Sequence, residues 1–163
     1  MNIVKQAITG SEENENQKMP YDALVSFYRA FNNKDFALMQ ANWLQTEEAS
    51  MSNPLGGIKR GWEEIKMVYQ KIFSGEVRVY VEFYDYSIDE TENMFIAAGR
   101  ERGRLETENE TIDLNIRTSR VYRRQDNVWK QLHHHGSMDD PKLLAVYQNL
   151  IFDKGDVSYD TIK

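Results

Sequence analysis

The spacing of the apolar residues changes once along the chain, at Gly75, and that switch limits the fold more than any other feature. Before it, apolar residues recur at helical spacing. Leu24, Phe27, Tyr28 and Phe31 form one set; Phe36, Met39 and Trp43 follow a break at Asn32-Asn33-Lys34; Trp62, Ile65, Val68, Tyr69 and Ile72 form a third. After it they alternate: Val77, Val79, Val81 and Phe83 interleave with Arg78, Tyr80, Glu82 and Tyr84, the period of a half-buried strand. Further strands are expected over 93–105, 111–123 and 128–135, and a short one within 48–57 that ends at Asn-Pro-Leu-Gly-Gly. Asp140-Pro141 then supplies an N-cap and a first-turn proline for a last helix, whose apolar face is Leu143, Val146, Tyr147, Leu150 and Ile151. Helices, then a meander, then one helix is an α+β order.

At 163 residues the chain has room for one domain. Residues 1–20, polar and aperiodic from Ile8 onward, are expected to be a mobile N-terminal arm, 21–152 the domain and 153–163 a C-terminal tail. Twenty Lys plus Arg against twenty-six Asp plus Glu leave a net charge of −6, which disfavours nucleic acid and anionic membranes as partners. The absence of cysteine excludes thiol nucleophiles and Cys-ligated metals. No apolar run approaches the ~20 residues of a membrane span, and the cytoplasm is the expected compartment.

Two segments carry a family resemblance. Glu48-Ala-Ser-Met-Ser-Asn53-Pro-Leu-Gly56, followed by Gly61-Trp-Glu-Glu-Ile65, resembles the strand, loop and helix that rim the ketosteroid isomerase pocket. Ser119-Arg-Val-Tyr-Arg-Arg-Gln-Asp-Asn-Val-Trp129-Lys-Gln-Leu-His-His-His135-Gly-Ser137 is similar to the last hairpin of the calcium/calmodulin-dependent protein kinase II association domain. Both belong to the nuclear transport factor 2-like superfamily, with its SnoaL-like proteins. The resemblance implies a cone-shaped α+β fold with helices packed on a curved antiparallel sheet. It also implies that Arg100 and Arg120 stand where the association domain keeps two of three pocket arginines, with Gly136 in place of the third. Asn53 stands where the isomerases hold their aspartate base, and Phe27 where they hold an oxyanion-hole tyrosine. An amide accepts no proton at neutral pH and a phenyl ring donates no hydrogen bond, so steroid isomerisation is not expected.

The register of the last hairpin decides what faces the core. A two-residue turn at Gln125-Asp126 would group Arg120 and Tyr122 with Trp129, His133 and His135. A type I turn with Asn127 as a left-handed bulge residue would group them with Leu132, His134 and Gly136. Asn tolerates the left-handed region, which favours the second. Trp129, Gln131, His133 and His135 would then lie on the convex face, a candidate dimer surface. Along 94–104, Arg100, Arg102 and Arg104 share a side with Met94, Ile96 and Ala98, while Glu101 lies with Phe95, Ala97 and Gly99.

The site expected from these residues is an apolar pocket lined by Arg100, Arg120, Glu101, Trp43 and Asn53, with His134 as candidate catalytic base because its ordinary pKa suits proton transfer near neutrality. Arg120 could equally close the sheet by pairing with Glu101. No cofactor and no metal are expected, since every His lies within 133–135 and no His-Glu motif occurs elsewhere. The expected partner is a small molecule bearing a carboxylate or carbonyl, bound by a homodimer and turned over, if at all, by acid/base isomerisation, cyclisation or dehydration. A non-enzymatic association module is the alternative.

Overall fold

A computed structural model describes residues 3–13 and 18–152. Helices α1 (Pro20–Asn32) and α2 (Phe36–Asn42) are followed by the short strands β1 (Ser50–Ser52) and β2 (Lys59–Arg60) and by α3 (Gly61–Ser74). The meander is β3 (Arg78–Glu90), β4 (Met94–Glu106), β5 (Thr111–Gln125) and β6 (Val128–Ser137), and α4 (Pro141–Ile151) closes the described chain. The sheet runs β2-β1-β6-β5-β4-β3 and is antiparallel except where β1 joins β6 in parallel. None of the helices is long and apolar enough to cross a membrane.

Local chemistry explains the helix ends. Pro20 sits in the first turn of α1, where its missing N–H costs nothing. Asp35 caps α2 by accepting from the Leu38 N–H, and Asp140 caps α4 by accepting from Lys142 and Leu143. The apolar faces of α1 and α3 close over one face of the sheet, so that Leu24, Tyr28, Ile65 and Tyr69 share a core with Phe83, Phe95 and Leu114. Asn42 joins three elements: its amide donates to the Ala23 carbonyl, and its oxygen accepts from Tyr122 Oη.

Two bulges re-aim the strands. In β3 the backbone turns left-handed at Asp85 (φ 50°) and the pairing shifts between Tyr84 and Ser87, which swings Tyr86 into the core beside Phe83. In β6, Arg120 pairs with His134 and Val121 with His133, but Tyr122 pairs with Gln131, so Leu132 is the extra residue. The turn itself is Asp126-Asn127, both left-handed (φ 51° and 62°), between the paired Gln125 and Val128. That is a two-residue primed hairpin one position later than the tight turn considered from the sequence.

The bulge within β6 has a direct consequence for the convex-face expectation. Trp129 and Gln131 are buried inside the sheet, not displayed on its outer side, because strand alternation reverses only after Leu132. His134 and Gly136 do face inward, and His133 and His135 do lie on the outer side.

Residues 3–13 are not a detached arm, contrary to the sequence expectation. Val4 and Ile8 bridge to Tyr86 and Phe83 of β3, and Ile8 is fully buried. Gly10 adopts φ +87° and lies so close to α1 that an added Cβ would sit 2.3 Å from the Arg29 nitrogen. Arg29 donates back to the Gly10 carbonyl, and Asn32 donates to the carbonyls of Thr9 and Val81. The apolar residues of this segment, Ile3, Val4, Ala7 and Ile8, do not alternate as those of a strand would, so the local pattern did not signal this docking. The expected tail 153–163 lies outside the described residues.

Candidate functional site

The inner face of β4, β5 and β6 brings together a buried polar cluster. Glu101 on β4 and Arg120 on β5 form an ion pair of 2.7 Å, with side chains 6% and 2% exposed. Tyr28 of α1 donates from its hydroxyl to the same carboxylate oxygen, Oε1, at 2.7 Å and accepts from Arg120 Nε at 3.2 Å. Arg120 Nη1 donates to Gln131 Oε1 at 2.8 Å. Each guanidinium nitrogen is thus used once, and both terminal nitrogens keep a further N–H. The Phe27 ring lies 3.5 Å from the guanidinium carbon, a cation–π contact in place of the hydroxyl that a tyrosine would offer.

Of these groups Glu101, Arg120 and Phe27 line a cavity of about 50 Å³ between α1, α3 and the sheet, together with Asn53, His134 and Tyr147. His134 is 7% exposed, and its Nδ1 has no hydrogen-bond partner among the described residues; Gln131 Nε2 is in the same condition. Burial, reinforced by the Arg120 charge, holds the His134 pKa well below its usual 6.5, so the imidazole is neutral near pH 7. Burial pushes the Tyr28 hydroxyl well above its ordinary range and keeps it a donor, while the adjacent Glu101 carboxylate keeps Arg120 protonated against its own burial. The cluster therefore has a matched pair of charges and several uncharged donors.

The expected site residues separate into two groups. Arg120, Glu101, His134 and Asn53 line the cavity. Asn53 also accepts from the Leu55 N–H, so its amide shapes the turn after β1. Arg100 does not reach the cavity: it lies on the outer face, 45% exposed, 3.9 Å from Asp85. Its neighbours Met94, Ile96 and Ala98, whose side chains suggested a pocket, are themselves exposed on that face. Trp43 is 1% exposed and packs against Tyr69 at 6.2 Å between ring centres, a core residue outside the cavity lining. Tyr28, read from the sequence as part of a helix's apolar face, and Gln131, read as a convex-face residue, were not expected at the site. The one available signal for Tyr28 was a phenol on the buried stripe of a helix, which needs a buried partner. Among the described residues no group of three or more His, Asp or Glu side chains is arranged to hold a metal ion.

Helices folded over a curved sheet around one polar-ended cavity define the nuclear transport factor 2-like fold, and solved structures agree. A nuclear transport factor 2-like superfamily protein from Salmonella enterica superposes with a TM-score of 0.64 at 18% identity, covering 71% of this chain and 85% of its own. A protein from Streptomyces avermitilis named as a candidate dehydratase of that family gives 0.63 at 21% identity, with 71% and 89% covered. One from Thiobacillus denitrificans, named as a candidate calcium/calmodulin-dependent protein kinase type II association domain, gives 0.60 at 23% identity, with 77% and 98% covered. Among curated proteins none matches in sequence. The SnoaL-like domain model matches residues 21–141, and the chain belongs to that family.

Proposed function

We propose that the protein binds a small apolar molecule through an uncharged carbonyl group at the inner end of the cavity. The observation that carries this reading is the nine-tenths buried His134, whose Nδ1 has no hydrogen-bond partner, next to an Arg120 whose charge is already matched by Glu101. An unmatched arginine pair would favour a carboxylate. Here a second carboxylate would bring an uncompensated buried charge, whereas a carbonyl oxygen can accept from a neutral imidazole and a guanidinium N–H without one. His134 enters this reading as a neutral hydrogen-bonding group, because the Arg120 charge opposes formation of an imidazolium. The name of the Streptomyces protein, a candidate dehydratase, is in keeping with a small-molecule ligand.

Titration calorimetry with a methyl ketone and a carboxylate of the same skeleton tests the proposal. The ketone is expected to bind at least about tenfold more tightly, since a buried unpaired carboxylate costs more than a carbonyl. His134→Leu should weaken binding of the ketone by removing one donor to its carbonyl. Equal or tighter binding of the carboxylate overturns it.

A second reading, self-association, rests on a separate observation. The outer sheet face exposes Met94 and Ile96, 40% and 41% accessible, on the side that also carries His133 and His135. We propose that this face joins two copies, and the association-domain name of the Thiobacillus relative accords with that.

A further inference from the structure

The inner cavity, at about 50 Å³, is far smaller than the ~300–1,000 Å³ of ordinary small-molecule sites. A groove of about 220 Å³ adjoins it, and Asn53 and Ile72 line both. Its walls are Leu55 of the turn after β1, Met67 and Val68 of α3, and Ile151 and Phe152 at the end of α4. Most of these are aliphatic groups; Asn53, Lys59, Glu64 and Lys71 supply the polar part of the lining. The α4 side of the groove lies beyond residue 141, outside the segment that matches the family model. Gln148 of α4 anchors it by donating to the Pro54 carbonyl at 2.9 Å, which keeps α4 beside the turn that carries Asn53.

We infer that the groove is the tail subsite of the same ligand, which makes the ligand class an aliphatic chain ended by a neutral carbonyl; this rests on the carbonyl reading of the inner cavity. The carbonyl lies at His134 and Arg120, the chain passes Asn53 and Ile72, and its far end packs between α3 and α4. The shared walls of the two spaces, Asn53 and Ile72, favour this occupant. A separate protein partner would have no use for the inner donors, while a compact ligand would leave the larger volume unused. Aliphatic walls without paired aromatic faces suit a flexible chain better than a flat ring system.

The test is a series of unbranched methyl ketones of increasing length, titrated into the full chain and into two variants. Met67→Asp changes the groove at a residue that is 58% exposed and so leaves folding intact; His134→Leu changes the head site. Affinity should rise by about threefold to fourfold per added methylene until the groove is full. Met67→Asp should abolish that rise while leaving the shortest ketone unchanged. If short and long ketones bind alike and only His134→Leu weakens them, the tail subsite is overturned and the carbonyl reading stands. If His134→Leu has no effect on any ketone, the carbonyl reading falls, and the inference with it. If Met67→Asp dissociates an oligomer without altering ketone affinity, the groove holds a second copy and the inference is overturned.

Discussion

Arg120 meets Glu101, Tyr28, Gln131 and the Phe27 ring at once, and each contact offsets part of the cost of burying a guanidinium. Removing it alone would leave the Glu101 carboxylate buried and unpaired. Arg120→Met should therefore destabilise the fold by about 3–5 kcal/mol, read as a lowered urea midpoint, whereas Arg120→Met combined with Glu101→Leu should recover most of the loss. A double variant no more stable than the single one would show that the pair does not act as a unit. His134 provides a pH test. Its folded pKa lies below its unfolded value of about 6.5, so its contribution is fully present above that pH. As the pH falls, the unfolded chain takes up the proton first, and stability declines until the folded pKa is passed. His134→Leu should flatten that slope, leaving a smaller one from His133, whose pKa is also lowered by burial. An unchanged slope would assign the acid sensitivity elsewhere.

At the level of elements, two irregularities in one hairpin govern the site. The Asp126-Asn127 turn places both residues in the left-handed region, and the extra Leu132 turns His134 inward on a strand whose first half already buries Trp129 and Gln131. Regular pairing along all of β6 would send His134 outward. Glycine suits the second position of a primed turn better than asparagine, so Asn127→Gly should raise stability by up to about 1 kcal/mol with an unchanged urea m-value. A loss of stability would mean that the asparagine side chain contributes more than its backbone strain costs.

Across the whole molecule the sheet separates two surfaces of different chemistry. Its inner face holds the matched ion pair and the cavity, and its outer face carries Arg100, Arg102 and Arg104 beyond the apolar stretch of Met94, Ile96 and Ala98. Arg102 pairs with Glu82, and its guanidinium also lies 4.5 Å from the Tyr84 ring centre, which organises part of that surface without burying it. If the outer face joins two copies, sedimentation at micromolar concentration should show a dimer and Ile96→Lys should shift it toward monomer. A monomer at high micromolar concentration would sink the proposed interface. Ketone affinity in Ile96→Lys should stay the same, because Ile96 lies on the opposite side of the sheet from the cavity.

The order of elements, the α+β class and the alternation along β4 follow from the sequence alone, because periodicity and turn residues act over a few positions. Helical spacing up to Ile72 and alternation from Val77 located α3 and β3, and the same alternation put Glu101, not Arg100, on the Phe95 side. Which side of β4 faced the core was beyond it: both sides carry apolar residues at one end, and only the packing of α1 and α3 distinguishes them. Likewise the bulge at Leu132 has no residue signature, since the extra residue is accommodated by pairing with a distant strand. The docking of Ile8 on Phe83 and the approach of Tyr28 to Glu101 join positions 75 and 73 residues apart. Such contacts form only once the sheet has curved and the helices have closed over it, so the polar cluster exists in the tertiary structure and nowhere in the local pattern.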